Sequence, residues 1–161
     1  MSADAATAIE TTQVVAFRLD GRLFGVDIRD VKEVNEEVAI TRIHHSPRNV
    51  SGYLNIRGQI HLVVDLRVEF CFESAPSGPS SRVIIFKSSI DEPFGVLVDS
   101  VEDILEIDSS RLVDRRSKEG ANDPGSELRQ ARKELCLGVY PLPKELLMLL
   151  NVRGILPKEE N

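Results

Sequence analysis

The chain repeats itself, and the repeat limits what it can fold into. Phe24-Gly25-Val26 returns as Phe94-Gly95-Val96. The match continues in step: Ile28 with Val98, Val31 with Val101, Glu33 with Asp103 and Val34 with Ile104, all 70 residues apart. A later set holds at an offset of 86: Gly52 with Gly138, Ile60 with Leu146, Val64 with Leu150, Asp65 with Asn151 and Leu66 with Val152. The offsets differ by 86 − 70 = 16 residues, which places an insertion in the second copy, within the polar, turn-rich stretch 114–134. Spacing kept across so many positions predicts two similar structural units. We place them at 13–72 and 82–156, joined by E-S-A-P-S-G-P-S-S at 73–81, with a disordered tail at 1–12 and a short tail at 157–161. Asn151-Val152-Arg153-Gly154 resembles Asn55-Ile56-Arg57-Gly58, but in the repeat register it aligns with Asp65 onward, so that likeness is accidental.

The units read as β structure. Strands are expected at 14–19, 23–28, 39–43, 59–68, 82–87, 94–98, 104–107, 136–140 and 146–152, with a hairpin signal at Asp20-Gly21. Residues 29–34, and their counterparts at 99–105, read as one turn or an irregular strand. A short helix is expected within the insertion, at 125–134. Short strands with turns every ten residues or so predict small closed barrels, which also remove exposed strand edges.

G-Y-L-N-I-R-G-Q-I-H-L-V-V-D-L-R, from Gly52 to Arg67, carries the strongest local signal. Asn55 and Gly58 both tolerate positive φ and bracket a tight turn with Arg57 at its apex. Ile60, Leu62, Val63, Val64 and Leu66 follow as an apolar run suited to a buried strand. A charge on a rigid turn beside a packed sheet is well placed to meet a partner. Val31, Glu33 and Val34 lie in D-V-K-E-V, and closure of the first unit would bring Glu33 to Arg57 and fix the arginine's orientation. Gly52, Gly58 and Gly95 are read as structural, serving backbone conformation or close packing.

Several functions are excluded. The net charge of −6, with no lysine–arginine cluster free of interleaved acids, argues against nucleic acid. No apolar run is long enough to insert in a membrane, and the acidic N-terminus is no signal peptide. Cys71 and Cys136 lack C-x-x-C spacing; free thiols fit a reducing cytoplasm. His44 and His45, adjacent on an expected strand, point to opposite faces and cannot chelate one ion, and His61 brings no ligand spacing, so no metal site is expected. G-x-S-x-G and the phosphate-binding glycine motifs are absent. The pairs Glu36-Glu37 and Glu159-Glu160 sit in polar, solvated stretches. No enzyme activity or cofactor is expected; binding is what remains.

At these residues the chain resembles the CheW family of chemotaxis coupling proteins. The resemblance rests on V-V-A-F-R-L-D-G-R-L-F-G-V-D-I-R-D-V-K-E-V, I-T-R-I-H-H-S-P, the Gly52–Arg67 stretch and F-G-V-L-V-D-S-V-E-D-I-L, in that order, across 14–156. It departs from the family pattern at Leu62, where a proline is usual, and in the insertion. The resemblance implies a mainly β protein of two intertwined, five-stranded SH3-like barrels packed together. It implies a cytoplasmic, non-enzymatic adaptor between the regulatory domain of the histidine kinase CheA and the cytoplasmic tip of chemoreceptors. A CheW-like module serving surface motility or second-messenger signalling is the alternative. By resemblance, Val31, Glu33 and Arg57 fall on receptor-contact or coupling positions, with Val34 beside them. Val83, Gly95, Val101 and Ile104 match second-barrel positions in the same groove or its support.

Overall fold

The computed structural model describes residues 11–36, 39–45, 50–70, 72–73, 78–87, 93–113 and 135–155. The insertion with its expected helix, Cys71, residues 74–77 of the linker and both chain ends lie outside the described residues. Ten strands are described: β1 (Thr11–Leu19), β2 (Arg22–Asp27), β3 (Val31–Asn35), β4 (Val50–Ile56), β5 (Gln59–Val64), β6 (Arg82–Phe86), β7 (Phe94–Val98), β8 (Ser100–Asp108), β9 (Cys136–Pro141) and β10 (Leu146–Leu150). They form two five-stranded sheets, one ordered β8-β1-β2-β10-β9 and the other β3-β6-β7-β5-β4.

Sheet membership does not follow the division into 13–72 and 82–156. The second sheet is built from one continuous stretch, β3 to β7, and the first from the two ends of the chain. Each repeat therefore contributes strands to both sheets. The parallel ladders show it: Leu62 and Val63 of β5 lie beside Phe94 and Gly95 of β7, while Met148 and Leu149 of β10 lie beside Phe24 and Gly25 of β2. These are the same positions under the offsets of 86 and 70. The duplication is structural, and its two copies have exchanged strands.

Alternation along the central strands explains why they are apolar on both faces. In β1, Val14 and Ala16 enter a cluster with Leu23, Leu147 and Leu149, while Val15, Phe17 and Leu19 enter another. In β6, Val83 and Ile85 join Leu54, Ile56 and Val63, while Ile84 and Phe86 join the cluster of Phe17 and Leu19. Each curled sheet wraps its own small core, and a third, larger core is shared between the sheets. Such strands read as continuous hydrophobic runs because neither face meets water. The SH3-like packing expected from the sequence is present, although the closed ladder is not: β3 and β4, and β8 and β9, are opposite edges of their sheets.

Other local expectations change. β1 starts at Thr11, inside the stretch assigned to the N-terminal tail. Residues 39–43 make only one bridge, Thr41 to Tyr53, and β4 forms instead from Val50 to Ile56. The strand expected at 59–68 stops at Val64, because the Asp65 carboxylate accepts the Arg67 N–H and caps a short helix, α1 (Leu66–Glu69). Asn151 caps a single 3-10 turn, Val152–Gly154, in the same way. This confirms that 151–154 corresponds to Asp65 onward. β8 runs from Ser100 to Asp108, longer than the expected 104–107, and β3 is preceded by one 3-10 turn, Ile28–Asp30.

Candidate functional site

The turn between β4 and β5 is built as the sequence requires, with one change. Arg57 and Gly58 take positive φ, 52° and 86°. Asn55 does not; its side-chain oxygen accepts the Gly58 N–H at 3.0 Å and locks the turn. Gly52, with φ of 151°, lies so close to the Thr41 carbonyl that any side chain would collide with it. A Cβ on Gly95 would stand 2.6 Å from the Ile84 carbonyl, so that glycine permits close strand packing. All three glycines serve structure.

Arg57 and Glu33 come together. Arg57 Nη1 donates to Glu33 Oε2 at 3.0 Å and Nη2 donates to Oε1 at 3.2 Å, a two-point clasp. The Arg57 side chain is 74% exposed and that of Glu33 23%. The guanidinium hydrogen bond holds the Glu33 carboxyl below its usual range. Glu33 stands on β3 and Arg57 at the end of β4, the two opposite edges of the second sheet. The clasp adds a side-chain tie across the curl to the backbone bridge between Thr41, after β3, and Tyr53 of β4.

The apolar candidates divide by depth. Val31 and Val101 are partly buried against the core shared by the two sheets, while Val34 and Ile104, 39% and 54% exposed, project from the same two strands. β3 and β8 are edge strands related by the repeat, and each has a register shift at the equivalent place: between Val31 and Glu33 in one, and opposite Val15/Phe17, where Val101 and Ile104 pair, in the other. The core between the sheets is filled by buried residues such as Phe17, Phe86 and Phe94. Val83 is fully buried in the core of the second sheet and can act only as support, not as a contact. Ile60, expected inside, is 51% exposed, as is its repeat partner Leu146 at 62%. His61 is buried, its Nδ1–H donating to the Gln59 carbonyl at 3.1 Å.

Sequence reasoning missed Arg67. Its Nη2 donates to Asp99 at 2.6 Å and its Nη1 to the Glu73 carbonyl at 2.7 Å, with Asp20 at 3.5 Å. Asp99 also accepts the Asp20 N–H at 2.9 Å. The network ties α1 of the second sheet to the β1–β2 turn of the first, beside the point where the chain crosses from β7 to β8. The signal lay in D-L-R, but nothing in sequence says which distant acids an arginine will meet.

Two SH3-like curled sheets with a shared core, flanked by edge strands related by the repeat, define the class of fold. A CheW-like domain model matches residues 13–160, and the chain belongs to that family. Similar proteins include the chemotaxis protein CheW of Klebsiella aerogenes, 28% identical over 148 residues, covering 92% of this chain and 83% of that protein. Another is the chemotaxis protein CheW of Rhizobium meliloti, 27% identical, covering 92% and 89%. The crystal structure of the scaffolding protein TtCheW from Thermoanaerobacter tengcongensis superposes with a TM-score of 0.73 at 25% identity, covering 88% of this chain and 90% of that one. The function that goes with this family is that of a non-enzymatic adaptor in chemotaxis signalling.

Proposed function

We propose that this chain works in the cytoplasm and couples the tip of chemoreceptors to the regulatory domain of the kinase CheA. The receptor tip, a helical hairpin, lies against the rim of the seam. Val31 and Val34 on β3, with Val101 and Ile104 on β8, offer it an apolar floor, and Arg57, held by Glu33, orients it. Helix-in-groove recognition needs that combination of apolar anchors and a few fixed charges. The observation that carries the reading is the Arg57–Glu33 clasp: an exposed arginine held at two points, on a turn fixed by Asn55 and Gly58. Val83, paired with Asn35, and Gly95, which lets β7 approach β6 closely, support β3 through the sheet.

Titration calorimetry of the full chain against a receptor-tip fragment and against the kinase regulatory domain tests the proposal. Both should bind the wild-type protein, and Val34→Asp should lose the receptor fragment while keeping the kinase domain. Failure to bind either fragment at tens of micromolar would overturn the reading.

A further inference from the structure

The first sheet carries a clasp of its own, made from different residues. Arg18, near the end of β1, donates Nη1 and Nη2 to the two carboxylate oxygens of Glu145 at 2.8 and 2.7 Å. Its Nε donates to Glu102 at 3.3 Å, and Nη1 also lies 3.5 Å from the Gly21 carbonyl. Glu145 stands in the turn between β9 and β10, and Glu102 stands on β8. β8 and β9 are the opposite edges of the first sheet, as β3 and β4 are of the second.

The repeat makes the comparison closer. It superimposes the β9–β10 turn on the β4–β5 turn that carries Arg57, and β8 on the β3 strand that carries Glu33. In both sheets an ionic bridge thus ties a hairpin turn to the far edge strand. The polarity differs: in the second sheet the turn supplies the cation, and in the first it supplies an anion. Because turn and strand are then both acidic, a third residue, Arg18, must stand between them. Arg18 is the cation that both carboxylates share. The Arg18 guanidinium, hydrogen-bonded to Glu145, holds that carboxyl below its usual range.

We propose that Arg18 is a second positioning residue for the adaptor function: by bridging Glu145 and Glu102 it fixes β8, and with it Val101 and Ile104, as the Arg57–Glu33 clasp fixes β3. The assignment rests on the coupling reading above and adds to it the residues that hold the other half of the docking rim. Arg18 does not touch the partner. It sets where the β8 side chains stand when the partner arrives.

The test compares Arg18→Ala, Arg18→Lys and the wild-type full chain in three measurements: affinity for the receptor-tip fragment, affinity for the kinase regulatory domain, and melting temperature. Arg18→Ala should weaken receptor binding on the order of five-fold and leave kinase-domain affinity unchanged. Hydrogen exchange should accelerate along 100–108. Arg18→Lys should recover part of the loss, since an ammonium can hold one carboxylate but not a two-point bridge. Receptor affinity equal to wild type in Arg18→Ala would overturn the proposal. So would parallel losses of both affinities with a lowered melting temperature, which would make Arg18 a purely structural residue. Wild-type protein that binds neither fragment would instead sink the coupling reading, and this assignment with it.

Discussion

Arg57 shows how one side chain can be exposed and yet fixed. Its turn is locked by Asn55 and Gly58, and its guanidinium by Glu33. Arg57→Ala should therefore leave the melting curve almost unchanged while receptor binding falls. Val64→Asp places an unpaired charge in the shared core, where the native side chain is fully buried, and should unfold the protein. Circular dichroism on the two variants checks both outcomes. The carboxyl of Glu33 supplies a second test. Its folded pKa is depressed, so the stability that the clasp adds is present above the unfolded value, about 4.3. It is lost only as pH falls through the lower folded value. An NMR titration should place the Glu33 midpoint below that of a free glutamate, and Arg57→Ala should raise it. The turn and the pairing of Arg57 with Glu33 were legible because Asn, Gly and D-V-K-E-V carry local chemistry. The depth of Val83 and the exposure of Ile60 were not, because an apolar residue on a strand reads the same whether its face meets a core or the rim of a curled sheet.

At the scale of the element, the two edge strands set the character of the surface. β3 and β8 combine an inner valine packed on the shared core with an outer apolar residue in solvent. Replacing the outer residues, as in Val34→Ser or Ile104→Ser, should change stability by no more than about 0.5 kcal/mol and should weaken receptor binding measurably. Calorimetry and thermal melts on the same samples separate the two effects. A large loss of stability would show that these side chains are covered within the protein itself. The repeat foretold that the strands would correspond. Of the turn and the irregular strand expected at 29–34 and 99–105, β3 and β8 take the irregular strand, because register shifts break the period-two pattern there. β4 was hidden because Gly52 and Asn55 are poor strand formers, although the first permits contact with Thr41 and the second serves the turn through its side chain.

Over the whole molecule, the exchange of strands makes the two sheets one cooperative body. β2 needs β10 from the far end of the chain, β7 needs β5 from the other repeat, and the largest core draws on both sheets. The segments 13–72 and 82–156, prepared separately, should each fail to fold, and the full chain should melt in a single transition with matching calorimetric and van't Hoff enthalpies. The sequence revealed that there were two copies. The repeat alone hid how they share strands, since the choice between pairing within a copy and pairing across copies leaves the same hydrophobic pattern; only the family resemblance implied that the barrels intertwine. That sharing places β3 and β8, from opposite copies, as equivalent edges flanking one core, the arrangement on which the adaptor reading depends. The most direct measurement is phosphorylation by the kinase in the presence of receptor fragments, with and without this chain. Receptor control of the kinase should appear when the wild-type chain is added and fail when Arg57→Ala is added at the same concentration. Kinase activity that responds identically with no adaptor, wild type or Arg57→Ala would contradict the account.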